Sequence, residues 1–133
     1  DIDMTGMALH ALAPYSDDPE IKAVIDAGIE FLSNAQNGDG TFDGMGGKTS
    51  ESASQVIIAL CANGFDPRTD ERFIKHGTSV YTALFEFRQE DKTFSHTPDD
   101  RKGDALATDQ VMMAMMALIN FENGKSGAFI FTD

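Results

Sequence analysis

Two kinds of apolar stretch alternate along the chain. Residues 51–63 and 104–119 carry dry runs, Val56-Ile57-Ile58-Ala59-Leu60-Cys61-Ala62 and Val111-Met112-Met113-Ala114-Met115-Met116-Ala117-Leu118, with no polar face. Helices of that kind have to be covered on nearly all sides. Residues 3–13, rich in Met, Ala and Leu, form a weaker third member built from strong helix formers. Between these lie one-sided patterns. In 19–36 the residues Ile21, Val24, Ile25, Gly28, Ile29 and Leu32 repeat at helical spacing, with Glu20, Lys22, Asp26 and Glu30 facing away. In 70–89 the stripe is Phe73, Gly77, Val80, Leu84 and Phe87. The pattern predicts five helices, alternately dry and amphipathic. Ala128-Phe129-Ile130-Phe131 is expected to add a terminal strand or hydrophobic flap.

Local signals mark the boundaries. Pro14 and Ser16-Asp17-Asp18-Pro19 end the first helix and cap the second; Ser50-Glu51-Ser52 caps the third. Asn63-Gly64 and Asp66-Pro67 end the third helix, and Gly124 and Gly127 the fifth. After the second helix, Gln36 stands where the last carbonyls lack partners, within reach of those carbonyls or of the next helix's N-terminus. Gly38 and Gly40 then let the chain reverse, and Phe42 is placed to fold back between helices. Gln89-Glu90-Asp91-Lys92-Thr93-Phe94 reads as a second joint, one residue shorter, with Lys92 near the expected glycine.

The dry runs are also copies of one another. Gln55-Val-Ile-Ile-Ala-Leu60 aligns with Gln110-Val-Met-Met-Ala-Met115, and more weakly with Met7-Ala-Leu-His-Ala-Leu12, at offsets of 55 and 48. Repeats pairing a buried helix with a half-wet one suit two concentric layers. The expected fold is therefore all-α: a partial α/α toroid of inner and outer helices joined by glycine-rich turns, with residues 1–133 one incomplete domain. Uncovered repeat ends call for a neighbour, so self-association or a longer parent chain is expected.

The joint Gln-x-x-x-Gly-x-aromatic, with Gln36, Gly40 and Phe42 in the three places and Phe where the family has Trp, resembles the QW repeat of the squalene cyclase and protein prenyltransferase superfamily. Asp1-Ile2-Asp3-Met4-Thr5 resembles the acidic motif of type II terpene cyclases, with Met4 in the place of its last Asp. Met7-Ala-Leu-His-Ala-Leu-Ala-Pro-Tyr15 is similar to prenyltransferase-like repeats of bacterial surface proteins. The resemblance implies a toroid serving as a non-catalytic binding or structural module, secreted or at the cell surface, with cytoplasmic location as the alternative. Its partner would be a small apolar ligand or a protein. The alternative it implies is an isoprenoid cyclase or transferase fragment in which Asp3, supported by Asp1, acts as general acid. Such an acid needs a retained proton and aromatic walls for the cation. This chain has no Trp and only Tyr15 and Tyr81 to help its Phe residues. The plainer reading is that Asp1 and Asp3 cap the first helix.

Charge narrows the partners. With 22 acidic against 10 basic residues and a net charge of -12, no basic stripe exists to hold phosphates or an anionic membrane. No apolar run approaches the roughly 20 residues that span a bilayer, and no signal-peptide pattern is present. A chain that opens on Asp1 is expected to be a mature or excised piece. The single Cys61 excludes an internal disulfide and a cysteine-rich zinc site, and in a dry run it reads as a small hydrophobe. Cys61 has no Asp or His at ligand spacing. His96 and Asp104 are separated by a loop, and His10 and His76 stand alone, so neither metal nor cofactor is expected. Residues 37–48 superficially resemble a calcium loop but lack its sixth-position glycine and carry Lys48 at the twelfth. The methionines of 112–116 are read as packing material rather than an adaptable groove, and the acidic loops around Asp17-Asp18 and Asp99-Asp100 as solvated surface.

Overall fold

The computed structural model describes residues 1–125, so Gly127 and the segment 128–131 lie outside the described residues. Five α-helices carry the fold: α1 (Ile2–Leu12), α2 (Pro19–Ala35), α3 (Ser50–Ala62), α4 (Val80–Leu84) and α5 (Ala105–Glu122). Two short antiparallel hairpins, β1–β2 (Asp43–Gly44, Gly47–Lys48) and β3–β4 (Ile74–Lys75, Thr78–Ser79), precede α3 and α4. The chain is all-α in class.

The three dry segments form one layer. α3 packs between α1 and α5, and every one of its residues is buried. The three helices run parallel. Ser52 meets Asp3 near the starts of α3 and α1, the Asn63 amide reaches the Leu9 carbonyl near their ends, and Gln55 Nε2 donates to Gln110 Oε1 between α3 and α5. Each is capped alike, by Asp1 on the Met4 amide, Thr49 on Ser52 and Asp104 on Ala107. Counting from cap to cap returns offsets of 48 (1 to 49) and 55 (49 to 104), the same as the sequence repeat. α2 packs on α1 through Ile25, Ile29 and Leu32, and α4 packs on α3.

Four expectations need correction. The amphipathic helix over 70–89 is broken: a 3-10 turn (Glu71–Phe73), the β3–β4 hairpin, the five-residue α4 and a second 3-10 turn (Phe85–Phe87) replace it. The hairpin turns on His76 and Gly77, both at positive φ (46° and 85°), the backbone of a two-residue type I′ loop. Ser79 then caps a fresh helix by accepting from the Thr82 amide. Phe73, Val80, Leu84 and Phe87 are buried all the same, so the stripe marked core correctly while the connecting backbone is not helical. Gly77 is exposed at the loop tip. α5 runs to Glu122 and is not covered all round, because Leu106, Met112, Met116 and Ile119 face out. Val24, placed on the buried stripe of α2, is exposed as well.

Candidate functional site

Both joints are built from the same hydrogen bonds, and those bonds correct their alignment. In the first, the Asn37 amide donates to the Thr41 carbonyl and the Gly40 amide to the Asn37 carbonyl, both at 2.9 Å. The Thr41 amide and hydroxyl both donate to Asp39 Oδ1 (3.1 and 2.6 Å). In the second, Gln89 pairs with Thr93 and Lys92 with Gln89 in the same way, while the Thr93 amide and hydroxyl donate to Asp91 Oδ1 (3.0 and 2.6 Å). The two loops are therefore equal in length. Gln89 matches Asn37, Arg88 matches Gln36, and Lys92 matches Gly40 at positive φ (73° against 86°). An Asp-x-Thr-Phe turn recurs, in which the carboxylate replaces a backbone partner.

Lys92 holds a left-handed backbone that favours glycine. Replacing it, Lys92→Gly, is expected to raise unfolding free energy by about 0.5–1 kcal/mol in chemical denaturation, with no change in helical circular dichroism.

The residues around each turn tie it to its helices. Gln36 Nε2 donates to the Gly40 carbonyl (2.9 Å) and to the Phe73 carbonyl (3.0 Å), so its amide joins the turn to the segment before β3 rather than to a helix end. Its buried Oε1 has no partner among the described residues. Phe42 is fully buried and Phe94 nearly so. Gln89 Nε2 reaches Ser95 Oγ and the Asp100 carbonyl (both 3.1 Å), pinning the loop that leads into α5. Asp39 is paired with Lys48, whose hydrogen bond holds the Asp39 carboxyl down to about 2, helped by Thr41. Lys48 thus neutralises the carboxylate that a calcium reading of this loop would need free.

At the start of the helical layer, Asp1 serves as the cap of α1, its Oδ1 accepting from the Met4 amide (2.9 Å). Asp3 Oδ1 accepts from Ser52 Oγ at 2.6 Å, and Ser52 Oγ in turn accepts from Thr49 Oγ1 at 2.9 Å. The hydroxyl chain ends on Asp3 as its acceptor. The adjoining cavity, about 360 Å³, is lined by Asp1, Ile2, Asp3, Asp43, Gly44 and Met45, without an aromatic ring. A larger open cleft of about 770 Å³ beside the second joint is polar throughout apart from Pro98, with charges of both signs such as Arg88, Asp91, Asp99 and Lys102. Among the described residues no group of three His, Cys, Asp or Glu is arranged to hold a metal ion, and no helix is long and apolar enough to cross a membrane. Burial pushes the Cys61 thiol up to about 12, leaving it a poor nucleophile.

Sequence reasoning did not anticipate the contact between His96 and Glu51. His96 Nδ1 lies 2.9 Å from Oε1 of the largely buried Glu51, while the Ser50 amide and hydroxyl bond the carbonyls of His96 and Ser95. Glu51 raises the imidazole above its ordinary value by accepting its hydrogen bond. A group raised in the folded state stabilises fully below its unfolded value, roughly 6.5, and the gain is lost as pH rises through the folded value. Half-exposed and screened, it is expected to contribute under about 1 kcal/mol. Stability curves at pH 5.5 and 8.5 for the wild type and His96→Gln check it: the difference between the two proteins shrinks at the higher pH.

Compared with protein-family models, curated proteins and solved structures, the chain matches none.

Proposed function

We propose that this chain is a non-catalytic helical-repeat module, an arc of an α/α toroid that binds or scaffolds within a bacterial secreted or cell-surface protein. The observation that carries this reading is the common register of α1, α3 and α5: parallel and capped at equivalent positions, as a two-layer repeat requires. The resemblance of Gln36, Gly40 and Phe42 to a QW joint points the same way, although here Gln36 binds the turn and the Phe73 carbonyl. Against catalysis stand Asp3, occupied as an acceptor, and an adjoining cavity with no aromatic wall for a cation. A small apolar ligand or a protein surface is the partner this reading expects.

Incubation with squalene and linear polyprenyl diphosphates, followed by gas chromatography, tests it. No cyclic or transferred product is expected. Turnover that disappears in Asp3→Asn would replace the module with an isoprenoid cyclase.

A further inference from the structure

The cap-defined register says which positions of each helix meet a neighbour. On α3, the positions touching the preceding helix α1 are Ser52, Gln55 and Asn63, through Asp3, the Gly6 turn and the Leu9 carbonyl. Their equivalents on α5 are Ala107, Gln110 and Leu118. Ala107 and Leu118 are buried, and Gln110 is bonded to Gln55 of α3. Their equivalents are Met4 and Met7 on α1 and Tyr15 in the 3-10 turn that follows it, and these are 63, 46 and 62 % exposed. One face of the repeat thus packs on the previous helix twice and stands open once.

The opposite face behaves in the same way. α1 meets α3 through Asp3, Gly6 and Leu9, whose equivalents on α3 are Glu51, Ser54 and Ile57, all buried. Cys61, one turn further, borders α5 beside Phe121. The matching positions on α5 are Leu106, Asp109, Met112 and Met116; the three apolar ones are 62, 55 and 49 % exposed. The layer ends on two different apolar faces, each the counterpart of a seam already formed inside the chain.

We propose that these faces meet between copies, with α5 of one chain seating α1 of the next in the parallel packing that joins α3 to α5. This rests on the repeat reading above but not on any ligand. The contact is head to tail, so it propagates into rings or short filaments rather than closing as a two-fold dimer. One residue opposes it. Asp109 stands at the Gly6 and Ser54 position, where a carboxylate in the seam loses its water without a partner. Together with the net charge of -12, this makes the association weak at low salt.

Sedimentation equilibrium from micromolar to millimolar protein tests the proposal, with circular dichroism checking that each surface variant keeps its helices. The wild type is expected to show a mass that climbs with concentration and with salt. Asp109→Ser should lower the dissociation constant about tenfold. The paired variants M4E/M7E and M112E/M116E should each be monomeric alone, yet their mixture should form a 1:1 heterodimer, because each retains the face that the other lacks. A wild type that stays monomeric throughout, or blocked variants that fail to complement, overturns the head-to-tail contact. Neither result would touch the non-catalytic reading, which stands or falls on product formation.

Discussion

Phe42→Ala is expected to lower the unfolding free energy by about 3–5 kcal/mol, the range for truncating a fully buried aromatic. The ring has no exposed surface and belongs to the core that α1, α2 and α3 share with the first joint. Its carbonyl accepts from the Thr49 amide, the residue that caps α3, so the ring and the helix start are held by one short segment. Collapse around the lost ring is hindered because the turn is fixed by Asp39, Asn37 and the Gln36 bridge. Against a typical stability of roughly 5–15 kcal/mol, such a loss leaves little margin. Phe94→Ala should cost slightly less, because its ring keeps 8 % of its surface exposed while still belonging to the core. Urea unfolding of both variants, followed at the helical band, decides the matter. A Phe42→Ala cost below 1 kcal/mol would mean that the aromatic does not plug the joint.

The same region shows what the sequence made legible. The run 56–62 announces a helix with no wet face, and every residue of α3 is buried. Caps and glycine stops located α2 and α3 to within a residue or two because these signals act locally. The stretch 70–89 misled because Phe73, Val80, Leu84 and Phe87 keep helical spacing while being delivered to the core by a hairpin and short turns. Only His76-Gly77 betrayed the turn, and a histidine at positive φ carries little signal beside four apolar residues in step. The second joint was misaligned by matching Gln89 to Gln36 by name; the Asp-x-Thr-Phe spacing, present in both, would have set the register.

Other features had no local signal. Glu51 and His96 lie 45 residues apart, and nothing near either names its partner. The open faces of α1 and α5 could not be read from composition, since Met112 and Met116 look as buried in sequence as Ile57 and Cys61 do. Only the position of each helix within the layer distinguishes them. Of the candidate acids, Asp1 could be recognised as a cap from its place before a helix. Asp3, read as a second cap, is not one: it lies in the first turn of α1 and accepts from Ser52 Oγ at 2.6 Å, a contact that only the fold brings about.

Gly6→Val is expected to destabilise the protein by about 3 kcal/mol, at the upper end for overpacking a close contact. A Cβ on Gly6 would come within 2.9 Å of the Gln55 carbonyl oxygen and 3.0 Å of its carbon, both backbone atoms that no rotamer change removes. The helices would have to separate, stretching the Ser52–Asp3 and Asn63–Leu9 bonds on either side of the contact. Removing a helical glycine gains at most roughly 1 kcal/mol, and a β-branched side chain forfeits most of that. Gly28 provides the control. A Cβ there would come within 2.7 Å of Leu9 Cδ2, the end of a flexible side chain that can swing aside. Gly28→Ala should therefore fall within about 1 kcal/mol of the wild type, its propensity gain offset by the displaced leucine. Hydrogen exchange adds a second readout: in Gly6→Val the amides of α1 should lose protection before those of α3 and α5. Equal costs at the two glycines would mean that α1 does not rest its backbone on α3, and the three-helix layer would lose its first member.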